Sequence, residues 1–155
     1  MGSGAGLPGI LLKIIRPRFK TCLLEINSRK CNFLKQVIRL LGLEEIEVIS
    51  GRIENEGTNL HSGGSHLITA RAFAGLEKTI ETCAPLLSPE GLLISFSGQR
   101  AEEDIERCRH RMKIHGIALE KMISYFLPGK KSKRNTLIFK KKGNEGTENT
   151  PAPSL

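Results

Sequence analysis

Aromatic residues make up only 5% of this 155-residue chain, and its single tyrosine is Tyr125. So sparse a set leaves no stacking platform for single-stranded bases, which bind such proteins by laying their faces on aromatic rings. Cysteine is equally scarce: Cys22, Cys31, Cys83 and Cys108 stand alone, with no CxxC pair among them. That spacing argues against a disulfide framework and fits the reduced thiols of a cytoplasmic protein. Cys108, His110 and His115 lack a fourth partner and a recognised ligand spacing, so no metal site is expected. No apolar run reaches the length that crosses a bilayer. The apolar start, Leu7 to Ile15, has no basic region before it and is not a secretory signal. A cytoplasmic protein without membrane contact is the expectation.

What is present is charge and periodicity. Lys and Arg number 24 against 16 Asp and Glu, a net charge of +8. That balance favours a polyanionic partner, because each cation placed on phosphate releases a condensed counterion. The length suits one domain with one core. Leu7, Ile10, Leu11, Ile14 and Ile15 recur at helical spacing until Pro17. Thr21 to Glu25 reads as a strand. A helix capped by Asn27 or Ser28 follows, with Phe33, Leu34, Val37, Ile38 and Leu41 on its apolar face and Gly42 closing it. Ile46 to Ile49 is a strand and Asn55 to Ser65 a polar loop. His66 to Thr69 is a strand, and Leu76, Ile80, Cys83 and Leu87 outline a helix. Ser88 to Gly91 is a turn, Leu92 to Phe96 a strand, and Ala101 to His115 a charged helix. Leu119 to Phe126 and Asn135 to Lys140 are the last strands. Strands alternating with helices predict a parallel α/β sheet, with the terminal pair as an antiparallel hairpin. Residues 1–142 form the expected domain, and 143–155 a polar disordered tail.

The loop Gly2 to Gly6, spaced GxGxG, opens the first helix. Glycine lets a backbone turn sharply and approach a ligand closely, and a helix N-terminus offers free N–H donors. Glu25 ends the next strand about twenty residues on, where an acid accepts hydrogen bonds from both ribose hydroxyls in doubly wound nucleotide-binding folds. Lys130, Lys131, Lys133 and Arg134 crowd one turn suited to phosphates. Arg107, Arg109, Arg111 and Lys113 spread around a helix, consistent with either a solvated surface or RNA contact.

Gly2-Ser3-Gly4-Ala5-Gly6-Leu7-Pro8-Gly9-Ile10 resembles the cofactor loop of the ribosomal small-subunit methyltransferase G family, also called glucose-inhibited division protein B. Further matches follow in order: Leu23-Leu24-Glu25, Arg29-Lys30, Phe33-Leu34, Gly51-Arg52-Ile53-Glu54, Thr69 to Ala74, Gly98-Gln99, and Arg134 to Lys141. The resemblance implies a Rossmann-like, class I S-adenosylmethionine-dependent methyltransferase fold. It implies methyl transfer to N7 of a guanine in 16S ribosomal RNA, alone or within the small subunit. Gly2, Gly4, Gly6 and Leu7 would form the cofactor loop, and Glu25 would take the ribose. Ile53 and Glu54 would lie beside the adenine. Arg71 would stand near the methionine end and the RNA, with Lys130, Lys131, Lys133 and Arg134 as further RNA contacts. No residue is named as a general base, and no sign of oligomerisation appears, so a monomer is expected.

Departures from the family pattern are Glu25 for the usual Asp, Ser97 for Lys, and His66 for Asp. Family members also carry a helical segment and a first strand before the loop, and Met1 stands where they have valine. The chain is therefore read as N-terminally truncated with its first strand missing, through a misplaced start or a real loss. As written it is expected to be poorly stable or inactive unless something fills the gap. The competing reading is a non-catalytic RNA-binding remnant of the family. A nicotinamide-dependent oxidoreductase conflicts with the GxGxG spacing.

Overall fold

The computed structural model describes residues 2–53, 63–71, 75–129 and 131–143. Glu54, Ala72 to Ala74, Lys130 and nearly all of the expected loop and tail lie outside them. The elements run α1 (Gly9–Ile15), β1 (Thr21–Glu25), α2 (Ser28–Leu40), β2 (Ile46–Ser50), β3 (Ser65–Arg71), α3 (Leu76–Cys83), β4 (Leu87–Ser97), α4 (Ala101–Ile114), β5 (Ile117–Phe126) and β6 (Lys133–Lys141). No helix among the described residues is long and apolar enough to cross a membrane.

The strands form two sheets. β1 and β2 pair in parallel, from Thr21 opposite Ile46 to Glu25 opposite Ser50. The second sheet has the order β3-β4-β6-β5, parallel between β3 and β4 and antiparallel thereafter. Alternating helices and strands with a terminal hairpin are therefore as the sequence predicts. The hairpin's second strand, not its first, docks against β4.

Local chemistry sets the boundaries. Asn27 is the cap of α2: its side chain accepts the Lys30 N–H at 3.2 Å, satisfying a donor that the first turn leaves unpaired. At the other end Gly42 takes φ +59°, and the Leu43 N–H reaches back to the Ile38 carbonyl at 3.1 Å, closing the helix in a Schellman arrangement. Ser88 to Gly91, expected as a turn, are part of β4. Ser65 faces Leu87 and Leu67 faces Leu92, so the extra residues bulge out between them, with Glu90 at φ +64°. Leu87 consequently belongs to a strand and not to the helix its spacing suggested; α3 stops at Cys83 and a short 3-10 turn, Ala84–Leu86, follows.

The larger core lies under the four-stranded sheet, where α3 and α4 pack on Leu93, Leu137 and Phe139 through Ile80, Cys83 and Cys108. The smaller core joins Ile10, Leu23 and Leu34. The apolar stripes of α1 and α2 are only partly covered: Leu11, Ile14, Ile15, Phe33 and Leu41 remain exposed, while Lys13 is buried in their place.

Candidate functional site

β1 carries its polypeptide toward the glycine loop and ends in a buried acid. Ser3 lies along the end of β1, its N–H and hydroxyl both donating to the Leu24 carbonyl, at 2.6 and 3.1 Å. The Gly4 N–H donates to Glu25 Oε2 at 2.8 Å, and the Ile26 and Asn27 N–H groups donate to Oε1, each at 3.0 Å. Burial pushes this carboxyl's pKa up, but the hydrogen bonds from Asn27, Gly4 and Ile26 and the charge of Lys30 outweigh it, holding Glu25 below its ordinary value. Glu25 is thus an ionised, oriented acid in a ring of backbone donors.

The expected loop residues do not share one environment. Gly2 is pressed against β1: a side chain there would come within 2.6 Å of Glu25 Cα and 2.7 Å of the Leu24 carbonyl oxygen. Gly4 takes φ +58° and nothing lies within 4 Å of where its side chain would stand, leaving its backbone open to a ligand. Gly6 is buried against α1 and α2, donating its N–H to Ser3 and accepting from Ile10. Leu7 is exposed. α1 starts only at Gly9, and the Ile10 and Leu12 N–H groups already bond to the Gly6 and Pro8 carbonyls. The open space at Gly4 lies beside the carboxylate of Glu25, an acceptor next to room for a ligand, which fits the adenosine end of a nucleoside cofactor.

Other expected residues lie farther along the chain. Ile53, just beyond β2, packs against the core of the four-stranded sheet. Arg71 ends β3 opposite Phe96, exposed and without an ion pair among the described residues. Gly98 follows β4, where its carbonyl accepts the Asn135 amide at 2.6 Å, and Asn135 in turn accepts the Ser124 hydroxyl at 2.7 Å. Asn135 is 1% exposed and was not anticipated. Its signal was available: an asparagine amid strand-forming residues is out of place unless its amide is used.

The basic residues divide in the same way. Lys131 and Arg134 are exposed, whereas Lys133 reaches Glu102 at 3.5 Å, and both Lys133 and Arg134 begin β6 instead of sitting in the turn. Lys140 pairs with Glu90 at 2.7 Å, and Lys141 donates to the Ala84 and His115 carbonyls, where a cation complements the C-terminus of α4. Arg107 pairs with Asp104 and Arg109 with Glu106, while Arg111 bridges to Glu77 and Glu81 of α3. Among the described residues of that group only Lys113 has no ion pair. Cys108 points into the core and His110 to solvent, so their helix holds them apart. Lys13, also unanticipated, is 1% exposed and donates to the Pro17 and Phe19 carbonyls at 2.7 and 2.6 Å. It fixes the turn that delivers β1 to the loop.

A family model described as rRNA small subunit methyltransferase G matches residues 1–137. The chain is 34% identical over 152 residues to the ribosomal RNA small subunit methyltransferase G of Lactobacillus helveticus, covering 97% of this chain and 63% of that protein. With its counterpart in Pelotomaculum thermopropionicum it shares 37% over 144 residues, 92% of this chain and 60% of the other. The chain thus spans about three fifths of the length of these relatives. Among solved structures, an rRNA methylase from Streptococcus thermophilus superposes with a TM-score of 0.65 at 14% identity, covering 90% of this chain and 82% of that one. A precorrin-6y C5,15-methyltransferase from Geobacter metallireducens gives 0.63 at 15%, covering 92% and 78%. These two likenesses speak for the fold alone, which is that of class I S-adenosylmethionine-dependent methyltransferases. Fold, loop and sequence agree, and the chain belongs to the rRNA small subunit methyltransferase G family.

Proposed function

We propose that this chain carries the catalytic domain of an enzyme that transfers a methyl group from S-adenosylmethionine to N7 of a guanine in 16S ribosomal RNA. Residues 1–142 form that domain and 143–155 a tail, working as a monomer in the cytoplasm. The observation that carries the reading is the open space at Gly4 set against the oriented carboxylate of Glu25, in a chain of this family.

In this reading the loop of Gly2, Gly4, Gly6 and Leu7, together with Glu25, holds the cofactor. Ile53 and Glu54 flank the adenine, and Arg71 lies between the methionine end and the RNA. Bound there, S-adenosylmethionine supplies an electrophilic methyl group on a positively charged sulfur. Guanine N7 carries an in-plane lone pair and no proton, so the chain needs no general base. Its residues contribute alignment, which in favourable cases lowers a barrier by roughly 7–11 kcal/mol. Lys130, Lys131, Lys133 and Arg134 contribute phosphate contacts that set the register of the RNA without reading its sequence.

Calorimetric titration with S-adenosylmethionine, beside transfer of a labelled methyl group to naked 16S RNA and to small subunits, tests the proposal. Binding and label at guanine N7 are expected. No binding of the cofactor by a chain that still binds the RNA would replace an enzyme with an RNA-binding remnant.

A further inference from the structure

Glu25 has fewer free acceptor sites than a ribose-binding acid needs. An ionised carboxylate offers about four lone-pair sites, and the chain fills three: Ile26 and Asn27 on Oε1, Gly4 on Oε2. The site left over is on Oε2. We propose that Glu25 is a positioning residue that clasps the glycine loop to the end of β1, and that a nucleoside bound beside it is read by this acid through one ribose hydroxyl and not two. The second half rests on the cofactor reading above; the first does not.

The loop is laid flush on the strand, and the carboxylate joins the Ser3 contacts in crossing between them. The Leu24 carbonyl takes both donors of Ser3, and a side chain on Gly2 would collide with the Glu25 backbone. The Cys31 thiol donates to the Glu25 carbonyl at 3.3 Å, fixing the strand end from the α2 side. Glu25 itself is 4% exposed, so the contacts are made in place of water. The reach is specific to glutamate. An aspartate, one methylene shorter, is expected to lose the Gly4 donor of the other segment before the Ile26 and Asn27 donors that lie next to it in sequence.

Amide NMR of the free, unmodified chain is the first test. The Gly4, Ile26 and Asn27 amide signals are expected to shift together with pH, with one midpoint below the ordinary glutamate value. A Gly4 signal that ignores this titration overturns the clasp. In Glu25→Gln, Gly4 amide exchange is expected to rise roughly tenfold or more, the scale of a lost hydrogen bond to a charged group, with Val48 in β2 unchanged. Glu25→Asp is expected to release Gly4 while keeping Ile26 and Asn27 protected. Unchanged Gly4 exchange in both variants overturns the clasp, and if Gln unfolds the strand pair, the titration of the unmodified chain decides. Calorimetry with S-adenosylhomocysteine and its 2′-deoxy and 3′-deoxy analogues tests the second half. One analogue is expected to bind roughly tenfold more weakly and the other within about twofold. Equal losses, or none, overturn single-hydroxyl reading. If none of the three nucleosides binds, the cofactor reading fails and takes this half with it, while the amide data still decide the clasp.

Discussion

Leu93, Leu137 and Phe139 have no exposed surface beneath α3 and α4, nor has Ile80 of α3 itself, whereas around β1 and β2 the most buried groups include Lys13 and Glu25. The four-stranded region is held by apolar burial, which is non-directional and tolerates small displacements. The β1–β2 region holds the glycine loop through a handful of directed polar contacts, Ser3 on Leu24 and Gly4 on Glu25, and fixes the turn before β1 through Lys13 on Pro17 and Phe19. Directed contacts position a loop to within a hydrogen bond, and they fail when one proton or one methylene changes. The difference separates what keeps the domain folded from what shapes the site.

Substitutions that empty the two cores should sharpen that contrast. Phe139→Ala is expected to cost about 4 kcal/mol by urea unfolding, the usual cost of an aromatic cavity in a packed core. Leu34→Ala is expected to cost about 3 kcal/mol, since the half-covered face of α2 can relax into the space. Equal losses at both sites would break the comparison. Asn135→Ala, which strands the Gly98 carbonyl and the Ser124 hydroxyl, is expected to cost about 2 kcal/mol and to loosen the segment after β4 in hydrogen exchange. Asn27→Ala removes only the cap of α2 and is expected to cost about 1 kcal/mol.

Acid should distinguish the regions without any cavity. The carboxyl of Glu25 is held below its unfolded value, so its contribution is complete above about pH 4.3 and disappears as pH falls through the lower folded value. Glu90 shifts in the same direction, its pKa lowered by the Lys140 hydrogen bond and charge on an exposed surface. Thermal melts of the native chain and Glu25→Gln are therefore expected to differ most near neutrality and to converge in acid, as pH falls through the lowered folded value. A gap that persists in acid would mean that glutamine disturbs packing instead of removing a charge-assisted hydrogen bond.

Much of this was legible in the sequence where chemistry is local. Asn27 as cap, Gly42 as stop, the alternation of helices and strands, and Glu25 at a strand end all follow from neighbours within a few residues. What escaped depends on distant partners. The burial of Lys13 requires the turn that brings Pro17 and Phe19 to its ammonium, and the partners of Lys140 and Lys141, which are Glu90, Ala84 and His115, stand far from them in sequence. The periodicity of Leu11, Ile14 and Ile15 marks a face, but a face says nothing of what covers it. Leu87 falls at helical spacing and still belongs to β4, because the pairing with Ser65 overrides the local pattern.

The most direct test of the account is amide hydrogen exchange of the chain with and without S-adenosylhomocysteine. Added protection is expected from Ser3 to Leu7 and at Ile26 and Asn27, with α4 unchanged. Protection confined to α4 or to the β5–β6 hairpin, or none at the glycine loop under conditions where the ligand binds, would contradict the assignment of the site.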